Sequence, residues 1–464
     1  MPTRTTMFTI DYNYGTLMVE VAESAAVDPI APYLTYDERI GRYRAGAYQY
    51  AAIVRKLHCG GLPYDDRARA FVPCPFELSD VMMPRPLQRE ALAAWNAGHR
   101  RGVAVLPTGA GKSFLAMMAI ADVQRPALVV VPTLDLMQQW ATRLEEAFGV
   151  PVGMLGGGSK DVQDLTVSTY DSAVIMMEFI GNRFGLIVFD ECHHLPGRVN
   201  RTAAAMSIAP YRLGLTATPE CNDDGDAVLA ELVGPICFRR DIDELEGAIL
   251  APYETHRIEL PLDDDEAEAY ECNRKRYIDF VRANGVNFGS PRGWQQFTGL
   301  CARMPDGRAV FNAYLAQKRI AAASRGKFRM IWDLIQRHAG ERTLIFTADN
   351  NTAYALGRRF LVPVITQHTK VAERKAFLDK FRAGDYPVLV SSKVLNEGID
   401  VPEASVGIVV SGSGSIREHV QRLGRILRPV AGKQAHLYEL VSEGTSEYHI
   451  SDRRRQHRAY QRSS

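Results

Sequence analysis

The chain has 464 residues, 55 Lys plus Arg against 54 Asp plus Glu, and a formal net charge of +1. That length exceeds one ordinary domain, and the neutral balance excludes a globally basic chain, so any surface for a polyanion must be a local patch. The 7 cysteines are scattered without a Cys-x-x-Cys pair, no apolar run is long enough to span a bilayer, and the start MPTRTTMFTIDYNYG lacks a leader-like stretch, so a cytoplasmic protein without disulfide framework or thiolate zinc site is expected.

Residues 1–80 alternate short strand-like runs (MFTI at 7–10, TLMV at 16–19) with turn signals and then give an Ala/Tyr-rich helix near 44–57, so a small α+β domain is expected. Over 81–250 the rhythm changes. The β-branched runs VAVL (103–106), ALVVV (127–131), LTVS (165–168), LIVF (186–189) and RLGL (212–215) alternate with helical patterns. Such alternation predicts a parallel sheet with helices on both faces. Residues 251–325 read as a linker and a helical insert, acidic at Asp263-Asp264-Asp265-Glu266 and then basic, with Tyr277, Phe280, Phe288, Trp294, Phe297, Phe311 and Tyr314 interleaved. Most of these rings are expected to pack the helices of the insert itself. The strand–helix rhythm returns over 326–450 (TLIF, VLV, GIVV, LYEL), and 451–464 form a basic tail.

The first strand of 81–250 runs into LPTGAGKSFLAMMAIA. Gly109 and Gly111 permit a tight backbone whose amides face phosphate oxygens, Lys112 supplies a cation, and the Ser113 hydroxyl suits Mg²⁺. Thr108 and Ala110 complete the loop. A strict phosphate-loop pattern wants Gly at position 106, where this chain has Leu106, so only the GxGKS core is met. The glycine-rich GGGSK at 156–160 leads into a strand rather than a helix, which marks it as an ordinary loop.

The stretch LIVFDECHHLP, 186–196, admits two readings: a metal cage from two carboxylates, a thiol and two imidazoles, or acids serving a bound nucleotide. On an extended segment successive side chains point apart, so Cys192, His193 and His194 do not easily converge on one zinc. Mg²⁺ asks for few protein oxygens when phosphates supply the others. The nucleotide reading therefore gives Asp190 the task of orienting the ion and Glu191 that of taking a proton from the attacking water.

With the GKS loop, this order of elements resembles the DExH group of superfamily 2 helicases. RPLQREAL (85–92) looks like an adenine-reading segment with Arg85 and with Gln88 in the base-reading role. VVVPTLDLMQQW (129–140) and VSTYDSA (167–173) look like strand-contacting motifs, and LGLTATPE (213–220) like the coupling element. LIFTADN, VLVSSKVLNEGIDVP and QRLGRILRP complete the set in order. The wording of SGSGSIREHVQRLGRILRP, the insert and the N-terminal piece make the resemblance strongest to XPB-type DNA helicases, particularly short prokaryotic forms.

The resemblance implies two RecA-like parallel-sheet domains flanking an ATP cleft, with a thumb-like helical insert and a damage-recognition-like N-terminal domain. It implies ATP and Mg²⁺ as cofactors, and 3′–5′ movement on duplex, forked or single-stranded DNA in repair, such as nucleotide excision repair, or in transcription-linked remodelling. It further implies a monomeric motor and a structure-specific nuclease as companion. Arg425 and Arg428 would stabilise charge on the transferring phosphoryl group, with Gln421 one turn earlier; Gly398 and Asp400 would report closure, Asp400 near the ribose. His193 would link hydrolysis to Thr216 and Thr218. Hydroxyls of Thr133, Ser168, Thr169, Ser391 and Ser392 would touch DNA phosphates, with turn capping as the alternative use. The family's Arg-Glu-Asp element should fall near 221–224, where this chain has Cys221-Asn222-Asp223-Asp224 and no arginine. An RNA helicase, a restriction-system motor and a nucleotide-gated scaffold without turnover are the other readings.

Overall fold

A computed structural model describes residues 7–22, 27–79, 83–218, 223–241, 244, 252–290, 292–392, 404–411 and 434–455. They form two compact units, Met1–Asp241 and Ile242–Ser464.

The first unit opens with β1 (Phe8–Asn13) and β2 (Thr16–Val21), an antiparallel hairpin turned by Tyr14 and Gly15 at φ 43° and 83°. Two consecutive left-handed residues make the turn whose twist matches that of the strands. β3 (Thr35–Asp37), β4 (Arg42–Gly46), α1 (Tyr50–Cys59) and β5 (Tyr64–Asp66) come next, in a sheet of order β3-β4-β2-β1-β5. The helix expected near 44–57 thus begins only at Tyr50. Arg42–Gly46 instead extends the hairpin as a strand paired with β2, where ladder bonds outweigh the helix preference of alanine.

This small domain shares its core with the larger sheet domain of the same unit. Ile208 packs among Phe8, Ile10, Leu17, Ile53 and Leu57. The Tyr12 hydroxyl donates to the Met177 carbonyl at 2.6 Å, and burial pushes its pKa to about 12. Asn182 Nδ2 donates to the Ala68 carbonyl at 3.0 Å.

The larger domain is built from α2 (Pro86–Ala97), β6 (Arg101–Val105), α3 (Lys112–Val123), β7 (Ala127–Val131), α4 (Leu134–Phe148), β8 (Gly153–Gly156) and β9 (Ser159–Lys160). β10 (Leu165–Thr169), α5 (Tyr170–Ile180), β11 (Leu186–Asp190), α6 (Arg201–Ala205), β12 (Tyr211–Thr216), α7 (Asp223–Leu232) and β13 (Ile236–Arg239) complete it. The sheet order is β13-β6-β12-β11-β7-β10-β8-β9, and only the β8–β9 pair is antiparallel. Every residue of β7 and β11 is buried, as expected for strands covered on both faces. Gly157 and Gly158, at φ 58° and 94°, turn the β8–β9 hairpin at the far edge of the sheet, so the glycine-rich 156–160 stretch is a turn and not a phosphate loop.

Arg212 in β12 is fully buried. Its guanidinium donates to four main-chain carbonyls, those of Ala204, Ser207, Ala209 and Leu232, at 2.6–3.0 Å. The end of α6, the loop after it and the end of α7 are thereby tied to the strand.

The second unit holds β14 (Tyr253–Leu260), α8 (Asp264–Ala283), α9 (Gly293–Arg303), α10 (Gly307–Ala322), α11 (Arg325–Arg337), β15 (Thr343–Phe346) and α12 (Asn350–Phe360). It continues with β16 (Val364–Ile365), α13 (Val371–Ala383), β17 (Val388–Ser391), β18 (Val406–Val409), β19 (Ala435–Ser442) and α14 (Glu447–Arg455). Its described strands are all parallel, in the order β14-β19-β18-β15-β17-β16. Residues 251–325 therefore do not all belong to linker and insert. All 8 residues of β14 pair with β19, which makes that segment the edge of the second sheet. The expected tail, 451–464, likewise starts inside α14, whose Glu447 accepts a hydrogen bond from the buried Lys327 ammonium at 2.6 Å. Residues 456–464 lie outside the described residues.

The insert is α8, α9 and α10. A capping box of Asp263 and Glu266 starts α8. Phe297 is fully buried, with Val286, Cys301 and Val310 beside it and Tyr277, Phe280, Phe311 and Tyr314 packed around them. Five of the seven expected rings thus serve the insert's own core, while Phe288 and Trp294 remain exposed.

Replacing Arg212 with Met would strand four buried carbonyls. Each hydrogen bond to a charged group contributes about 1.5–3 kcal/mol, so the variant is expected to unfold in urea with a loss of roughly 3 kcal/mol or more. A midpoint equal to wild type would remove Arg212 from this role.

Candidate functional site

In an open parallel sheet, ligands gather at the carboxyl ends of the strands. The strand that precedes the GKS loop, β6, lies beside β12, which carries TAT, and β12 lies beside β11, which carries DECH. Val105 is opposite Thr216, and Leu215 is opposite Asp190, so the three motifs leave the sheet at one level.

Between β6 and α3 the loop holds Gly109 at φ 88° and Gly111 at φ 92°. Gly111 is the N-cap of α3, whose first amides lack intrahelical partners. A Cβ at Gly111 would collide with the Gln88 side chain. That side chain is buried and clamps the loop: Gln88 Nε2 donates to the Gly111 carbonyl at 3.2 Å, and Gln88 Oε1 accepts from the Arg85 amide at 2.8 Å. Lys112 Nζ donates to the Leu106 carbonyl at 3.1 Å. Ala110 is fully buried, and Ser113 is the second residue of α3. Among the described residues, Thr108 Oγ1 is buried without a hydrogen-bond partner. A glycine-only backbone, an orphaned hydroxyl, a helix N-terminus and an ammonium are the donor set that a triphosphate requires.

Asp190 closes β11 and is nearly buried. Its Oδ2 accepts from Trp140 Nε1 at 2.8 Å and its Oδ1 from the Glu191 amide at 3.0 Å. Burial raises its pKa, while the Lys112 charge and then the Trp140 hydrogen bond pull it down. The Tyr170 hydroxyl donates to the Asp190 carbonyl at 3.2 Å. Each carboxylate oxygen keeps a lone pair, which suits a hard cation held partly through water.

Glu191 then turns the chain in the left-handed region at φ 47°, and Cys192–His194 form one 3-10 turn rather than an extended run. The His193 and His194 rings stay side by side, with centroids 4.3 Å apart, while Cys192 turns elsewhere. Cys192 packs into the hydrophobic core, and His193 Nδ1 lies 3.1 Å from Thr216 Oγ1 and 3.4 Å from Glu191 Oε2. The Thr216 hydroxyl donates to the Thr218 carbonyl at 2.9 Å and accepts from the Thr218 amide at 3.2 Å. With its one proton committed, it accepts from His193, so the Nδ1–H tautomer satisfies the network. Three residues expected to act together, His193, Thr216 and Thr218, are thus joined, and the zinc-cage reading of the stretch has no geometry.

The hydroxyls expected at DNA take other partners. Thr133 and Thr169 cap α4 and α5, accepting from the Leu136 and Ser172 amides at 3.3 Å. Ser168 and Ser391 are fully buried and bond main-chain carbonyls, and Ser392 is nearly buried. Capping and strand closure account for four of these hydroxyls. Gly398, Asp400, Gln421, Arg425 and Arg428 lie outside the described residues, as do Cys221 and Asn222, while Asp223 begins α7.

Two site residues escaped the sequence reading: Trp140 and Tyr170. Both sit inside the motifs quoted as strand-contacting. Their signal was available, because a buried indole N–H or phenol must find an acceptor.

Three family models match the chain: the damage recognition domain of xeroderma pigmentosum group B helicase over residues 10–68, the res subunit of type III restriction enzymes over 81–221, and the helicase conserved C-terminal domain over 326–430. The chain is 37% identical to the DNA 3′-5′ translocase XPB2 of Sulfurisphaera tokodaii, over 92% of this chain and 97% of that one. It is 32% identical to the DNA 3′-5′ helicase XPB of Kineococcus radiotolerans, over 78% of this chain but only 60% of that longer protein. Among solved structures, the Hef helicase domain of Pyrococcus furiosus aligns with a TM-score of 0.54 at 19% identity, covering 81% of this chain and 99% of that one. Dbp5 of S. cerevisiae, bound to RNA and ADP BeF3, aligns at 0.56 and 14%, covering 82% and 88%. These two likenesses speak for the two-domain RecA-like fold alone.

Trp140→Phe would remove a hydrogen bond that favours the Asp190 carboxylate, so the Asp190 pKa would rise further. The acid limb of nucleotide hydrolysis is expected to move to higher pH with the plateau rate nearly kept. An unmoved limb would show that Asp190 does not set it.

Proposed function

The chain belongs to the XPB-type branch of the superfamily 2 helicases, and from that premise we propose an ATP-driven motor moving 3′ to 5′ on DNA, in repair or in transcription-linked remodelling. The observation that supports it best is the 3.1 Å contact between His193 and Thr216. It ties the strand end bearing the acids to the strand that separates them from the phosphate loop. In a motor such a link passes the state of the hydrolysis site to the TAT element; a histidine that merely satisfies the fold is the other use of the same contact.

In this reading the amides of 108–113, Lys112 and Ser113 hold the triphosphate of ATP, with Arg85 and Gln88 at the base. Asp190 and Ser113 hold Mg²⁺, which supplies charge neutralisation at the phosphates. Glu191 receives the proton of the attacking water, and Arg425, Arg428 and Gln421 offset charge on the transferring phosphoryl group. Such arginines contribute on the order of 10³–10⁵ in rate.

Contacts to DNA are mostly to phosphates, since a motor that read bases would stall. Trp294 and Phe288, exposed on the insert among basic residues, suit stacking or grip. Because Ile208 and Tyr12 lock the N-terminal domain onto the α5–α6 side of the first sheet, any DNA structure it senses is felt directly by that sheet. A monomeric motor working beside a structure-specific nuclease completes the proposal, and free thiols at the six described cysteines suit a reducing cytoplasm.

Hydrolysis is expected to be stimulated by duplex or forked DNA more than by RNA. Stimulation by RNA alone would replace this reading with an RNA helicase. Lys112→Ala and Glu191→Gln should each abolish turnover, the latter retaining ATP binding, and Arg425→Ala should bind ATP but hydrolyse roughly 10³-fold more slowly. Wild-type hydrolysis by Glu191→Gln would remove the proton acceptor from its role. Triplex displacement beside strand displacement on 3′- and 5′-tailed duplexes separates tracking from unwinding and tests the polarity.

A further inference from the structure

We propose that the second unit carries a zinc-type cation site formed by Glu254, His256 and His436, where β14 meets β19. Glu254 and His256 are two residues apart on β14 and so share a face, and Glu254 lies directly opposite His436 in the ladder. All three sit near the amino ends of their strands.

Geometry carries the assignment. Glu254 Oε2 and His256 Nε2 are 3.4 Å apart, Glu254 Oε2 and His436 Nδ1 3.6 Å, and His256 Nε2 and His436 Nδ1 3.4 Å. A tetrahedral zinc with bonds of about 2.0–2.1 Å separates its donors by about 3.3–3.4 Å. The three atoms thus already outline one face of that tetrahedron, and water would take the fourth position.

The surroundings match a ligand set. Gln434 Nε2 donates to Glu254 Oε1 at 2.7 Å, which orients the carboxylate and leaves Oε2 for the cation. The Tyr438 ring stacks on His256, with centroids 4.8 Å apart. His338 backs the site without joining it, since its Nδ1 meets Glu341 at 2.9 Å and its Nε2 the Tyr438 hydroxyl at 2.8 Å. Two imidazoles and one carboxylate favour Zn²⁺ or its neighbours over Mg²⁺ or Ca²⁺. Bound there, the ion clips β14 to the last described strand. Sequence spacing hid the site, because His256 and His436 are separated by 180 residues.

The test uses tag-free full chain, stripped with chelator and free of nucleotide, titrated with Co²⁺. One equivalent is expected to give the visible bands of tetrahedral cobalt, lost on adding Zn²⁺ and absent in His256→Ala and His436→Ala. Gln434→Ala should keep the bands but weaken binding about 10-fold. Zn²⁺ should raise the wild-type Tm by about 5 °C and leave the Tm of His436→Ala unchanged. Absent bands in the wild type, or bands that survive both histidine variants, would overturn the site. If either variant unfolds, the wild-type titration and the Gln434→Ala affinity still decide.

Discussion

The first unit depends on one placement: β12 lies in register between β6 and β11. Parallel strands bring their carboxyl ends to one edge, and this order sets the TAT residues between the phosphate loop and the acids. His193 therefore needs only one hydrogen bond, to Thr216, to span the gap. Were β12 shifted by one residue, Thr216 would point to the other face of the sheet and the link would vanish. Arg212 guards against that. It sits four residues before Thr216 on the same strand, and its four carbonyl partners fix β12 against the ends of α6 and α7.

Burial sets the electrostatics at that edge. Asp190 is raised by desolvation and restrained by Lys112 and Trp140, so its charge answers to what else occupies the loop. In the described structure Lys112 rests on the Leu106 carbonyl and Gln88 on the Gly111 carbonyl. Both bonds join the loop to its own supports. The loop is thus held in shape by neutral carbonyl partners.

Much of this was legible from residue patterns because the physics there is local. Fully buried parallel strands read as unbroken β-branched runs, and GAGKS with an apolar helix behind it has few other uses. The misreadings share a cause. Arg42–Gly46 looked helical by composition, and Tyr253–Leu260 looked like linker, because each becomes a strand only through a partner elsewhere in the chain. For the hydroxyls at strand ends the sequence left two uses open, DNA contact and turn capping; the Thr133 and Thr169 hydroxyls cap helices, and Ser168 and Ser391 are buried. Trp140 was visible as a residue and invisible as a partner of Asp190, since 50 positions separate them.

The pairing of β14 with β19 also bears on how the chain is made. Tyr253 meets Ala435 and Leu260 meets Ser442, so the first strand of the second unit waits for nearly the last. During synthesis at about 5–20 residues per second, an open sheet edge persists while everything between those strands leaves the ribosome. Contacts so distant along the chain also fold slowly. The growing polypeptide therefore carries its own temporary vulnerability to misassembly, one that a chaperone or rapid completion of β19 must cover.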